Sequence, residues 1–444
     1  MNSHHHAARD PQPWSNRIAA TSKPVAAASN PARLSWMRKL FAEAAGLLHA
    51  PERAFPLAGA VLSHGIRSSA ERRHLYSYAT TKADSTRVLE LVVRWVLTAQ
   101  RADGGVPAYY SLLTGYSKSY PEVTGYLVPT LYDFAKFRAD SGAATAAERA
   151  TRWLLSLQMP DGAFPGGLQG GEGQASIFNT GQILHGLTRA HKEIHDPAIG
   201  RAAIAAADWL VQMQCTDGSW SGPGSYQGGA HTYYIMVSWA LAELSKEIGD
   251  PKYGKAAERN LNWTLSYFRP TGWIDGINLE GYPEYSHFIA YVLQGALECA
   301  VLRDRNDAIE AAAKSAWLLL RKFETNKCLY GAYERDFKNG KRFACLTGNA
   351  QMSCVWLRLF EVTGDLRYFN AALKMNEMLK RLIPARGGPG IAGGISGSYP
   401  IWGDYQPLRY ISWGCKFFAD ALLHEQRLKK SLVASPCEVL ECAS

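Results

Sequence analysis

The chain makes one kind of turn several times over. "QRADGGV" begins at Gln100, "QMPDGAF" at Gln158 and "QCTDGSW" at Gln214. Looser versions, "FRPTGWIDG" from Phe268, "FETNKCLYG" from Phe323 and "IPARGGPG" from Ile383, continue the series at intervals of 54 to 60 residues. Six units of this length, each a supersecondary element unable to hide its own apolar face, must stack or close on one another.

Each unit repeats the same order. An amphipathic helix comes first, as in "TRVLELVVRWVLTAQ", "AERATRWLLSLQ" or "AIAAADWLVQMQ", with apolar residues at three- and four-residue spacing. A connection rich in Gly, Asp and Pro follows, long enough to carry function. A second helix, more apolar all round, completes the unit: "TGYLVPTLYDFAKF", "NTGQILHGLTRAH", "YYIMVSWALAELS", "FIAYVLQGALECA", "GNAQMSCVWLRLFE", "SWGCKFFADALL". Helices with little polar face are enclosed by others. The expectation is an all-α (α/α)6 toroid over 86–428, with an outer amphipathic ring and an inner buried one. The glycine after aspartate supplies the positive φ that stops an outer helix and turns the chain inward.

Outside the ring, residues 1–33 read as a disordered arm without a signal-peptide core, 34–85 as a helical leader and 429–444 as a loose tail. No apolar run is long enough for a membrane span. Eight cysteines are scattered without metal-ligand or redox spacing, which gives buried thiols and a cytoplasmic location. A net charge of +9 without basic runs interleaved with aromatics argues against nucleic acid and for an anionic small ligand or glycan. The pattern leaves oligomeric state open.

Gln214, Asp217, Gly218 and Trp220 resemble the QW repeat of squalene–hopene cyclases and the related repeats of protein prenyltransferase β subunits. That resemblance implies an α/α toroid. It does not carry the activity across, because the Asp-x-Asp-Asp acid of alkene-protonating cyclases, the Asp-Asp-x-x-Asp magnesium motif, the Asp-x-Cys zinc pair of prenyltransferases and the Cys-His pair of lanthionine cyclases are all absent. No metal and no cofactor is expected. Other (α/α)6 toroids are carbohydrate-active, and "SYPEVTGYLVPTL", "CLTGNAQMSCVWLRLFEVTGD" and "GSYPIWGDYQP" are similar to toroid proteins of bacterial polysaccharide metabolism.

In such a ring the inner helices begin at one rim, so their first turns surround a common bowl. The residues expected there are Tyr120, Glu122 and Tyr126; Asn179 and Gln182; His231, Tyr233 and Tyr234; Glu284, His287 and Tyr291; Asn349 and Gln351; and Trp402, Asp404, Trp413 and Lys416. "SYPEVTGY" and "GYPEYSHF" place Glu122 and Glu284 in opposite units, as a carboxylate pair across the cavity, which is what glycoside cleavage needs. His231 and His287, beside Tyr234 and Tyr291, offer the base and acid for removing a proton α to a uronate carboxylate. Loop aromatics including Trp220 and Tyr282 are expected to bind sugar faces. The glycine runs at 166–174 and 387–397 lack the context of a phosphate loop. The function expected is acid/base chemistry on an acidic glycan by hydrolysis, β-elimination or epimerisation. The alternatives are a terpenoid or prenyl-binding toroid and a non-catalytic glycan-binding module.

Overall fold

The computed structural model describes residues 84–169, 173–277 and 283–434. The arm, nearly all of the leader, the end of the tail, part of the first glycine run and Tyr282 lie outside them.

Among the described residues, twelve α-helices alternate between two rings. The outer helices are α1 (Ser85–Ala99), α3 (Ser141–Leu155), α5 (Pro197–Gln212), α7 (Pro251–Leu265), α9 (Asn306–Asn326) and α11 (Leu366–Leu382). The inner helices are α2 (Pro121–Arg138), α4 (Ile177–Ile194), α6 (Ile235–Ile248), α8 (Ser286–Leu302), α10 (Leu346–Thr363) and α12 (Ser412–Ala434). Each inner helix packs on the next, and α12 returns to α2. The architecture is therefore the closed (α/α)6 toroid, not an open superhelix. The last helix runs six residues beyond the expected end of the ring at 428.

Five outer helices start at an aspartate whose carboxylate accepts a backbone N–H of the first turn: Asp84, Asp140, Asp196, Asp250 and Asp365. Such caps satisfy donors that the helix itself cannot. At the other end the repeated turn acts as a staple. The Gln214 Nε2 donates to Gly218 O at 3.0 Å inside the turn and to Ala256 O at 2.9 Å on the next outer helix. Gln100 and Gln158 make the same two bonds, to Gly104 and Ala146 and to Gly162 and Ala202. Gly218 sits at φ 91°, and a Cβ there would stand 2.5 Å from Arg259 O. Glycine is thus required both for the left-handed turn and for contact with the neighbouring helix. Trp220 belongs to this staple. It is buried, with Nε1 donating to Leu210 O at 2.9 Å.

The ring is sealed by its last connection. Strand β2 (Arg409–Ile411) pairs antiparallel with β1 (Tyr109–Ser111), and Ser412 N donates to Ala108 O at 2.9 Å. Ser85 Oγ, opening α1, donates to Glu425 Oε1 of α12 at 3.1 Å.

Candidate active site

Three chemistries meet where the inner helices begin. The first is a protonatable carboxyl. Pro121 opens α2, placing Glu122 in its first turn, where it is buried and accepts a hydrogen bond from the Tyr120 hydroxyl. Burial lifts its carboxyl to about 7, although the bond from Tyr120 pulls the other way. The Tyr120 hydroxyl also receives a bond from the Asn179 side chain. Phenols Tyr126, Tyr233, Tyr234 and Tyr291 all feel the Glu122 charge, and their burial raises each above the usual phenol range.

The second is a neutral imidazole. His287, in the first turn of α8, is enclosed by Tyr291, Phe288, Tyr405 and Phe417, with ring centroids 4.2 to 5.9 Å away. Burial, with Lys416 adding to it, pushes the imidazole down to about 3 against the opposing pull of a bond to Gln351. His287 Nδ1 lies 2.9 Å from Gln351 Oε1, and Gln351 Nε2 donates to Gln294 Oε1 at 2.8 Å. Gly348 permits this approach of α10 to α8, since a Cβ there would stand 2.7 Å from His287 N.

The third is a buried cation. Lys416 Nζ lies 4.2 Å from the Phe417 ring centroid and 5.4 Å from that of Tyr126, and it pairs with Asp420 at 2.8 Å. The remaining wall is aromatic: Phe178 contacts Tyr233, Tyr234 and Tyr291.

Several expected residues are placed otherwise. Glu284 does not face Glu122. The two Tyr-Pro-Glu segments differ in register, because Glu284–Tyr285 form a short strand paired with Ala332–Tyr333 and α8 starts only at Ser286. Glu284 is half-buried beside Asp275 and Glu334, which, after burial, raise its carboxyl. The carboxylate pair of the sequence reading is therefore not assembled. Asn349 is fully buried and spends its amide on Leu329 N, Leu329 O and Cys345 O, fastening a connection rather than lining the bowl. Tyr234 is also occupied: its hydroxyl accepts from Tyr226 N at 2.8 Å and Ser225 Oγ at 3.2 Å. His231 stacks on Tyr233, and its Nε2 donates to Tyr226 O at 2.8 Å, so it stands at the bowl's lip with its own loop. Burial lowers its imidazole too.

Gln182 is buried with neither amide atom bonded among the described residues. At the rim, Trp402 is exposed and Asp404 pairs with Lys341 at 2.7 Å. Trp413 Nε1 donates to the Tyr405 hydroxyl at 2.9 Å. The sequence pattern marks neither Phe178 nor Phe417 as a site residue. Phe178 immediately precedes Asn179 and Phe417 follows Lys416, so adjacency to expected site residues was their one signal. Among the described residues, no three His, Cys, Asp or Glu side chains form a metal-binding group.

The fold defines the class: an (α/α)6 toroid whose inner-helix starts bring Glu122, His287, Lys416 and several phenols into one buried cluster. Residues 76–294 match the family model described as the squalene-hopene cyclase C-terminal domain. Among solved structures, the chain is similar to the unsaturated glucuronyl hydrolase of Bacillus sp. GL1, described as responsible for the degradation of glycosaminoglycan. The identity is 16% and the TM-score 0.63, over 78% of this chain and 97% of that one. A sugar epimerase from a ruminal bacterium aligns with TM-score 0.65 at 12% identity, covering 78% and 98%. Cellobiose 2-epimerase from Spirochaeta thermophila aligns with TM-score 0.62 at 13% identity, covering 78% and 96%. At these identities the likeness is one of fold. No curated protein sequence matches the chain significantly.

Proposed function

We propose that this toroid is a carbohydrate-active enzyme that moves a proton at a carbon of an acidic sugar, by epimerisation or β-elimination. One observation carries the reading: a carboxyl near 7 and a neutral imidazole flank the same phenol, Tyr291, and Glu122 is the carboxylate whose charge bears on that phenol. A two-carboxylate glycosidase needs a partner that Glu284 does not supply. The Glu122 carboxyl near 7 is poised for acid/base catalysis at neutral pH, and the His287 imidazole is held there in its unprotonated, proton-accepting form.

The roles follow. His287 Nε2 takes the proton α to the sugar's carboxylate, and the C–H electron pair passes into an enolate. The hydroxyls of Tyr126 and Tyr291 are neutral donors for the developing charge, while Tyr120 keeps its hydrogen on Glu122. Glu122 then gives its proton either to the carbon, which epimerises it, or to the departing glycosidic oxygen, which completes elimination. Solvent exchange restores both groups. Lys416 is the cation that draws an anionic substrate, and Trp402 is an exposed ring suited to a sugar face. The fold relatives that act on sugars support the same class. A cytoplasmic setting agrees with Cys215, Cys299, Cys345, Cys354 and Cys415 standing outside any disulfide and with the absence, among the described residues, of any helix able to cross a membrane.

The test is incubation with a panel of uronate-containing glycans in heavy water. Epimerisation gives deuterium at carbon without cleavage, and elimination gives an ultraviolet-absorbing unsaturated product. Hydrolysis with neither signal overturns the assignment. A second reading, a terpenoid- or prenyl-binding toroid, is favoured by the Phe178, Phe288 and Phe417 wall and the cyclase family match. In that reading polyprenyl substrates are consumed and the glycan panel stays untouched.

A further inference from the structure

We infer that Gln351 and Gln294 are positioning residues, which hold His287 as its Nδ1–H tautomer and so reserve Nε2 as the proton-accepting atom. The inference rests on the acid/base reading of the bowl only for its consequence; the tautomer itself stands on the hydrogen bonds. Gln351 commits its amide nitrogen to Gln294 Oε1 at 2.8 Å, so its oxygen is what remains for His287. An amide oxygen only accepts, and the nitrogen 2.9 Å from it, Nδ1, must therefore carry the hydrogen. In a neutral ring the other nitrogen is then bare. The ring is neutral because burial and the nearby Lys416 both oppose a second proton.

The arrangement is rigid by construction. Gln351 is fully buried on α10 and Gln294 nearly so on α8, two turns below His287. Gly348, one turn before Gln351, lets the two helices touch at the level of His287. A histidine side chain free in water favours the opposite tautomer, Nε2–H, so the relay selects a form that solvent would not. Gln351 thus acts through His287 rather than by touching sugar, a revision of the substrate-binding role its position in the sequence suggested.

The experiment is nitrogen NMR of the full chain labelled at histidine, with the His287 resonances identified by their loss in His287→Gln. The expected wild-type spectrum has a protonated, pyrrole-like Nδ1 and a bare, pyridine-like Nε2 for this residue. Gln351→Leu should move that population toward Nε2–H and lower kcat by roughly 10²-fold with KM within about twofold. Gln351→Glu, which still accepts from Nδ1–H, should keep the tautomer while raising the imidazole's pKa, which shifts the acid limb of the rate profile upward. If the leucine variant fails to fold, the wild-type spectrum and Gln294→Leu decide. A wild-type Nε2–H form, or a tautomer indifferent to Gln351→Leu, overturns the inference. The expected spectrum together with full turnover in His287→Gln keeps the tautomer lock and overturns the catalytic reading instead.

Discussion

His287 and Tyr291, one turn apart on α8, pack ring to ring at 4.2 Å, and the same Tyr291 feels the carboxylate of Glu122 from α2. Units one and four of a six-fold ring are thus joined at its centre through a single phenol. The pairing reflects the toroid's geometry: helices far apart in sequence present their first turns to one axis. Glu122 and His287 have opposite needs, and one cause serves both, since burial keeps the acid protonated and the base unprotonated.

That shared cause sets the rate profile. With His287 neutral above about 3 and Glu122 required in its protonated form, kcat/KM should be level through mildly acidic pH and fall about tenfold per unit above about 7. Glu122→Gln and His287→Gln should each lose on the order of 10²- to 10⁴-fold, and the residual activity of Glu122→Gln should no longer fall at alkaline pH. Steady-state kinetics from pH 5 to 9 measure this; an unchanged alkaline limb in Glu122→Gln rules out Glu122 as the acid.

Stability carries the same signature. A carboxyl whose folded pKa lies above its unfolded value binds more protons when folded between those values, so the wild type should weaken as pH rises from about 4.5 to about 7. The loss is roughly 3 kcal/mol, at about 1.4 kcal/mol per unit. Glu122→Gln cannot ionise, and it should melt above the wild type at pH 8 while the difference shrinks toward pH 5. Parallel melting curves across that range would show that Glu122 is not desolvated. For His287 the sign is reversed: its depressed pKa costs stability as pH falls below about 6.5, and His287→Gln should resist acid better.

How much of this was legible in sequence depends on the kind of interaction. The ring, its period and the rim position of the polar residues follow from patterning, because Gln100, Gln158 and Gln214 do the same local job in each unit. The aspartate caps at 84, 140, 196, 250 and 365 were an equally regular signal that the reading passed over. The pairing of Glu122 with Glu284 failed because a two-residue strand before α8 shifts the second motif out of register, and strand pairing with Ala332–Tyr333 is non-local. Asn349 and Trp220 were misjudged for a related reason. Polar tips near a rim look alike in sequence whether they meet substrate or backbone, and these two meet backbone.

The turn staple predicts a sharp contrast between glycines. Gly218 and Gly222 both have positive φ, at 91° and 80°, yet a Cβ at Gly218 meets Arg259 O whereas one at Gly222 meets nothing within 4 Å. Gly222→Ala should cost about 1 kcal/mol from backbone conformation alone. Gly218→Ala adds a clash with the next outer helix and should cost on the order of 3 kcal/mol. Equal denaturation midpoints for the two variants would remove the claim that this glycine spaces neighbouring units.

Ring closure supplies the last prediction. Glu425 is buried on α12, where it accepts from Ser85 Oγ of α1 at 3.1 Å and from Asn376 Nδ2 of α11 at 2.8 Å, and it pairs with Lys429. Lys380, also buried, donates to the same Ser85 hydroxyl at 2.9 Å and to Glu377 at 2.6 Å. One carboxylate therefore ties the first outer helix to the last two helices of the chain. Removing it strands polar partners in a low-dielectric seam, and Glu425→Ala should cost about 3–5 kcal/mol. Glu425→Gln keeps the size and an acceptor for Asn376 but loses the charge, so it should fall between. Hydrogen exchange locates the damage: α1 and α12 should lose protection before the middle helices if the bond is a closure clasp, and uniform loss around the ring would show that Glu425 only contributes to the core at large.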